Sequence, residues 1–329
     1  MRGNNLRMRK LKSKAKLHEP VLKEEVLEAL KLKKIAHLKR RPRIIDATLG
    51  LGGHTLAIVK AGGNVLGIEA DSEMLEIATV ELGEALGARG SSGPEACPPR
   101  LSRKAGSFKL VHGNFRDIDR LAEGTGFDQV NGIVFDLGVS LDQLASPIRG
   151  FSFRNPKAKL DMRIDKSSQA VSAADLLNSL RERELNGLFQ RALDRNEARR
   201  IAELVVKKRT VSPIETVGDF LDVCKDARPK RTKLHPATRA FLALRMAVNS
   251  ELPDLNEALP KAFSLLSGGG RLIVISFHSE EDREVKAFFR KMQEQDCARI
   301  VGKPVVAGEE EIEANPRARS AKMRVLEKP

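Results

Sequence analysis

Apolar positions along this chain fall into two periods, and the alternation between them outlines the fold. Val21, Leu22, Val26, Leu27 and Leu30 recur at helical spacing, so Glu19 to Leu32 reads as a helix. A short apolar run, Ile44-Ile45, follows and ends at Asp46, where the chain enters Ala47-Thr48-Leu49-Gly50-Leu51-Gly52-Gly53-His54. This predicts a first strand, a glycine turn and a helix through Lys60. Asn64 to Glu69 reads as a second strand and Ser72 to Leu86 as a helix, with Ser107 to Val111 and Gly132 to Phe135 as the third and fourth strands. Between Gly87 and Gly106 the chain is rich in Gly, Ser, Pro and Arg without an apolar period, which predicts a loop insertion.

From Leu141 to about Lys233 no strand-like run closed by an acid recurs. Helical segments follow one another instead: Ala173 to Leu180, Glu182 to Lys208 and Val217 to Ala227. Two more helices, Ala237 to Ser250 and Asp254 to Leu266, lead through a Gly268-Gly269-Gly270 turn into a fifth strand, Arg271 to Phe277. Ser279 with Asp282 resembles a capping box for the helix through Phe289, and Ala321 to Glu327 reads as a closing strand. The order predicts an α/β fold, a doubly wound and mostly parallel sheet, with an all-helical domain inserted between the fourth and fifth strands. The expected division is an arm over 1–17, a core over 18–144 and 234–329, and the insert over 145–233.

Charge changes the picture. The 329 residues carry a formal net charge of +14, which favours a polyanionic partner, although a surplus kept for solubility has the same signature. Arg2 to Lys16 holds seven basic residues and no acid. It reads as an arm that lies on phosphates or as a solvated tail, and a cleaved organelle-targeting segment has the same composition. No apolar run approaches the roughly 20 residues of a membrane span, and no secretory h-region is present. Cys97, Cys224 and Cys297 form no CxxC pair, so the expectation is a reducing compartment with neither disulfide framework nor zinc site.

The candidate chemistry lies at strand ends. Asp46, Glu69, Asp136 and His278 terminate strands that, in an open parallel sheet, line one crevice. Gly50, Gly52 and Gly53 let a turn approach a ligand closely, and Glu69, 19 residues after Gly50, stands where an acid reaches a ribose diol. An ordinary βα turn with a solvated acid would look the same. No Gly-Lys-Ser/Thr follows the glycines, and the third glycine of a dinucleotide fingerprint is missing. S-adenosylmethionine, with a ribose and no pyrophosphate, fits better. Taken by type alone, His54 can be a ligand, a helix-start cap or a packed polar residue, the last two together favoured, and Phe115 reads as core. Glu280, Glu281 and Asp282 place negative charge at a helix start, and no metal is expected there.

The chain resembles the RsmH (MraW) methyltransferases, which methylate the exocyclic amine of a cytidine in bacterial small-subunit ribosomal RNA. The resemblance rests on His18-Glu19-Pro20-Val21, Gly50 to His54, Asp136-Leu137-Gly138-Val139-Ser140 with Gln143-Leu144, and Arg149-Gly150-Phe151-Ser152-Phe153. It continues through Leu160-Asp161-Met162-Arg163, His235-Pro236-Ala237-Thr238-Arg239, Val248 to Leu252, Ile275 to Ser279 with Glu281-Asp282-Arg283, and Asn315 to Ser320. It implies a Rossmann-like S-adenosylmethionine-dependent methyltransferase core with a helical insert. By motif position it implies cofactor contacts from Gly52, Gly53, His54, Glu69, Phe115, Asp136 and Gln143. The implied partner is small-subunit ribosomal RNA or the assembled small subunit, in the cytoplasm or an organelle matrix, with no membrane. Oligomeric state is left open, a homodimer among the options.

Four departures stand out: Glu69 for the usual Asp, Leu141 for a second Ser, Ala192-Leu193-Asp194-Arg195 for Tyr-Gly-Glu-Glu, and a longer loop over 87–106. The mechanism expected is direct methyl transfer to the cytosine amine, with Asp136 as the catalytic acceptor of its proton. The chain has no Trp or Tyr, so Phe151 and Phe153 are the candidates to stack on the base, with core packing as their other use. Methylation of DNA cytosine or of another RNA, and a non-catalytic RNA-binding role in ribosome assembly, remain the rival readings.

Overall fold

The computed structural model describes residues 19–32, 41–87, 105–227 and 235–329. The basic arm, most of the Gly87 to Gly106 loop, and Lys230, Arg231 and Lys233 of the helical insert lie outside them. The chain forms two units, one of 1–138 with 254–329 and one of 139–253.

The first unit is built on strands β1 (Arg43–Asp46), β2 (Asn64–Glu69), β3 (Phe108–His112), β4 (Val130–Asp136), β5 (Leu266–Ser276), β6 (Arg299–Ile300), β7 (Val305–Val306) and β8 (Lys322–Glu327). They form one sheet in the order β3-β2-β1-β4-β5-β8-β6, with β7 also on β8. The first five strands are parallel and β8 runs antiparallel to β5. The β3-to-β4 connection crosses from one side of β1 to the other, so the order reverses between β1 and β4. At such a switch point neighbouring loops diverge and leave a crevice beyond the strand carboxyl ends.

Both faces of the sheet are covered, which is why its central strands are apolar at nearly every position. Successive side chains point to opposite faces. Ile45, Ile133, Leu272 and Val274 pack with Leu255, Leu259 and Phe289 on one side. Ile44, Val134, Ile273 and Ile275 pack with Val26, Leu30 and Ile58 on the other. The helices before β4 are α1 (Lys23–Ala29), α2 (Gly53–Lys60), α3 (Ser72–Ala85) and α4 (Ile118–Ala122).

The closing strand is fastened by charge. Glu327 receives Lys31 Nζ at 2.7 Å, Arg271 Nε at 2.8 Å and Arg299 Nη2 at 2.7 Å. These cations, the Lys31 hydrogen bond foremost, hold its carboxyl down at about 2. β6 and β7 carry no sequence signal, since two residues each are too few to show a period. The glycine turn is also not a separate element. Leu266 already pairs with Val130 before the register shifts to Gly132↔Arg271, so 267–270 bulge out of a continuous strand.

The second unit contains α5 (Leu141–Ala145), α6 (Ala173–Ser179), α7 (Glu182–Phe189), α8 (Arg195–Arg209), α9 (Val217–Asp226) and α10 (Ala237–Val248). α11 (Glu251–Leu265) starts within it and continues into the first unit. Its core gathers Leu185, Phe189, Ile201, Val205, Phe220, Phe241 and Leu244. Two expectations are corrected here. The helical part begins at 139 and runs to 253, not 145 to 233. The reason is that α10 buries Phe241 against Phe220, with ring centroids 5.3 Å apart, an apolar face whose period is the same whichever core receives it. And Glu182 to Lys208 is two helices, because the Asp194 carboxylate accepts from Asn196 N at 3.0 Å and Glu197 N at 2.9 Å and starts a new one. The Ala192 to Arg195 departure is this turn.

Candidate active site

The carboxyl ends of β1, β2 and β4 meet at the switch point. β1 ends in Asp46, wholly buried, whose carboxylate accepts from Thr55 Oγ1 at 2.7 Å. Backbone bonding continues past the strands: Ala47 N donates to Val134 O at 2.9 Å and Leu49 N to Ile68 O at 2.9 Å. The glycine loop is therefore anchored on both flanking strands. Gly50 and Gly52 take φ of +55° and +86°, the left-handed region open to glycine. At Gly52 a Cβ would also come 2.7 Å from Leu82 Cδ1, whereas at Gly50 it would meet nothing within 4 Å, so this part of the loop faces open space.

Glu69 closes β2 and is buried, with Gly50 N donating to its Oε2 at 2.8 Å and Asp71 N to its Oε1 at 2.8 Å. Burial pushes its carboxyl up to about 7, against the pull of those two amides. Glutamate in place of aspartate thus reaches back to hold the loop whose ligand it would share.

Asp136 closes β4. Thr48 Oγ1 accepts from its backbone N–H at 2.6 Å, and Asp136 Oδ2 lies 3.6 Å from His54 Nε2 on the first turn of α2. Asp136 Oδ1 is buried with no hydrogen-bond partner among the described residues. Burial pulls the pKa of His54 down, but Asp136 and Asp46 together outweigh it and the net shift is upward. Burial raises the carboxyl of Asp46. His54 beside Asp136 Oδ2, with Asp136 Oδ1 left without a partner, is an arrangement that holds one acceptor ready for a donor from outside the chain.

Phe115 opens a 3-10 turn capped by Asn114, whose Oδ1 accepts from Arg116 N at 2.9 Å. Its ring packs nearly perpendicular to that of Phe135, centroids 5.7 Å apart at 79°, and the residue stays partly exposed. Asn114 Nδ2 donates to buried Asp254 Oδ2 at 2.6 Å and fixes the turn.

The structure brings Gly52, Gly53, His54, Glu69, Phe115 and Asp136 together in the first unit. Gln143 belongs to the second, where its Oε1 accepts from Ser140 N at 2.9 Å and Ser140 Oγ accepts from its N–H at 3.1 Å, a capping box for α5. His278 caps α12 (Ser279–Glu294) through Nδ1, which accepts from Glu281 N at 3.3 Å. That corrects the Ser279–Asp282 box by one residue. Asp282 instead binds Arg324 Nε at 2.6 Å and Lys322 Nζ at 2.9 Å. Thr48, Thr55, Asn114 and Asp254 escaped the sequence reading. A hydroxyl two residues after a strand-end acid was the visible signal for Thr48; nothing local marks the other three.

The donor set fits S-adenosylmethionine. A glycine turn with open space beyond it, a strand-end carboxylate at ribose distance in sequence and an orphaned carboxylate oxygen suit a nucleoside bearing an amino-acid tail. No helix among the described residues is long and apolar enough to cross a membrane.

Comparison with known proteins agrees on the family. A Ribosomal RNA small subunit methyltransferase H from Geobacter sp. (strain M21) is 41% identical, covering 94% of this chain and 98% of its own. One from Pelobacter propionicus is 40% identical over 94% and 98%. A solved rRNA methylase from Streptococcus thermophilus is 12% identical with a TM-score of 0.41, covering 92% of this chain and 94% of its own, too distant to bear on function. The MraW methylase family matches residues 15–329, and the chain belongs to it.

Proposed function

We propose that this protein transfers the methyl group of S-adenosylmethionine to the exocyclic N4 amine of a cytidine in small-subunit ribosomal RNA. The observation that carries the reading is Asp136 Oδ1, buried and without a partner at the end of β4, beside the glycine loop. The cofactor supplies an electrophilic methyl on a sulfonium. The chain must supply position and a proton acceptor.

The glycine turn from Gly50 to Gly53 and the Glu69 carboxylate hold the nucleoside end. Phe115, partly exposed, packs against the adenine, and its turn is set by Asn114. The cytosine amine is a weak nucleophile because its lone pair is delocalised into the ring. Asp136 Oδ1 accepts a hydrogen bond from its N–H, so that the nitrogen pyramidalises, the N–CH3 bond forms as the S–CH3 bond breaks, and the N–H proton passes to the carboxylate. His54, whose Nε2 lies 3.6 Å from Oδ2, fixes the orientation of Asp136 and leaves Oδ1 without an internal donor among the described residues. The base must be unpaired to reach such a site. The substrate is small-subunit ribosomal RNA, free or within the assembled small subunit.

The test is incubation with unmodified small subunits or with free small-subunit rRNA and labelled S-adenosylmethionine, followed by nucleoside mass spectrometry. N4-methylcytidine is the expected product from at least one of the two substrates. Cofactor binding with no labelled nucleoside from either substrate overturns the reading.

A further inference from the structure

The aromatic pair expected to meet a base is used inside the protein. Phe151 is buried, and the partly exposed Phe153 stacks on His235 with centroids 4.5 Å apart and rings 15° from parallel. The residue turned outward from the same stretch is Ile148, 70% exposed. It exceeds in size the exposed valines 171, 211 and 306, and it sits on a loop with little freedom to hide it.

Arg149, next in sequence, is buried, and its guanidinium donates to the carbonyls of Arg163 and Ile164 and lies over the Phe151 ring at 5.7 Å. Met162 N donates to Arg149 O at 2.9 Å. Gly150 has φ +75°, and a Cβ there would stand 2.6 Å from Lys159 O. Asn155 Nδ2 donates to Pro147 O at 2.7 Å, which closes the loop on itself. Further along, Gly218 N donates to Pro156 O at 2.8 Å and Val217 N to Ala158 O at 2.9 Å. The segment is thus held at both ends.

Its charge is one-sided. No Asp or Glu occurs between Asp142 and Asp161, while Arg154, Lys157 and Lys159 are exposed and form no ion pair among the described residues. Exposing a large aliphatic side chain on a rigid loop forgoes its burial, and leaving three cations without counter-charges forgoes their pairing. A single occupant answers both: a polyanion that also presents apolar faces. Single-stranded RNA has that chemistry, with phosphates for the cations and unstacked bases for the isoleucine.

We infer that residues 147–159 form an RNA-docking loop, in which Ile148 packs against an unpaired base and Arg154, Lys157 and Lys159 take flanking phosphates. This rests on the proposed substrate and names the surface that grips it.

Filter binding of unmodified small-subunit rRNA across a salt series tests the loop, with methylation of the same RNA measured in parallel. Ile148→Ser should weaken binding about 3- to 10-fold at every salt concentration, without changing the slope of log K against log salt, because an apolar contact releases no counterions. Replacing Arg154, Lys157 and Lys159 together by Gln should lower that slope by about 2. Unchanged melting temperature and unchanged S-adenosylmethionine binding would show both variants intact. If wild type binds and methylates while both variants match it, the loop assignment falls and the proposed function stands. If binding follows the expected pattern but no cytidine is methylated, the loop stands and the proposed reaction falls. If Ile148→Ser leaves RNA binding alone but dissociates a dimer in sedimentation, the face belongs to a second copy and the assignment is overturned.

Discussion

Asp136 in the sheet unit and Asn249 in the helical unit both stand at the end of a regular element, inside a sequence motif. They differ in what is left over. Asn249 spends its whole amide: Nδ2 donates to Met162 O and Arg245 O at 2.9 Å each, and Oδ1 accepts from Ile164 N at 2.9 Å and Gln169 Nε2 at 3.1 Å. With the bonds of Arg149 to Met162, Arg163 and Ile164, these tie three motifs distant in sequence, around Arg149, Met162 and Asn249, into one knot. Asp136 keeps one oxygen unsatisfied. Motif residues in the helical unit therefore lock geometry, while those at the sheet edge hold bonding capacity in reserve for something else. A motif by itself does not say which; the hydrogen-bond count does.

The sharpest way to break this contrast is Asp136→Asn. With cofactor saturating, turnover should fall about 100- to 10,000-fold, because the amide cannot take the proton, and the melting temperature should stay within error. A variant that kept full turnover would remove Asp136 as acceptor. Asn249→Ala should do the reverse. It strands Met162 O, Ile164 N and Gln169, so we expect a loss of about 2–3 kcal/mol in denaturant unfolding of the helical unit. The affinity for S-adenosylmethionine should not follow it.

Glu69 refines the comparison by pH. Its carboxyl is raised to about 7 and must be ionised to accept two ribose hydroxyls. S-adenosylmethionine affinity should rise up to about tenfold from pH 6 to 8 in calorimetry and stay flat in Glu69→Gln. The same shift makes the folded protein bind this proton more tightly than the unfolded chain. Its contribution to stability is present below pH 4.5 and is lost as pH rises through 7.

The smallest effect belongs to Glu327, a structural acid of the opposite sign. Depressed to about 2, it contributes stability above pH 4.5 that disappears as pH falls through 2. Glu327→Gln should cost about 1 kcal/mol at pH 7, after allowance for the solvent-screened share, and converge with wild type in acid.

Much of this was legible in residue order. The five parallel strands, the glycine loop and Glu69, the helical insert and the closing strand follow from apolar period and strand-end acids, which are local signals. What stayed hidden is non-local. Thr55 reveals its purpose only once it meets Asp46 across a turn, and Asn114 only once Asp254, 140 residues later, comes beside it. The boundary of the helical unit was misjudged because an amphipathic helix declares that it will be buried and not against which core. Phe151 and Phe153 were candidates by type, and the packing of Arg149 and His235 decided their use. The cofactor set itself came from motif position in the family resemblance more than from physics, since His54 and Phe115 read as packing residues when taken alone.

The sheet order has a consequence for how the chain is made. β4 must wait for β5, which follows only after the whole of 139–253 has been synthesised, and β5 and β6 must both wait for β8, which comes after them. During elongation a strand destined for burial at most of its positions, Val130–Asp136, stands with one backbone edge open. The helical unit has its own core and can fold in that interval, so a nascent chain would carry a finished domain beside a half-built sheet. A protein proposed to act on ribosomal RNA would then depend, as it leaves the ribosome that makes it, on whatever chaperone covers that edge until β8 arrives.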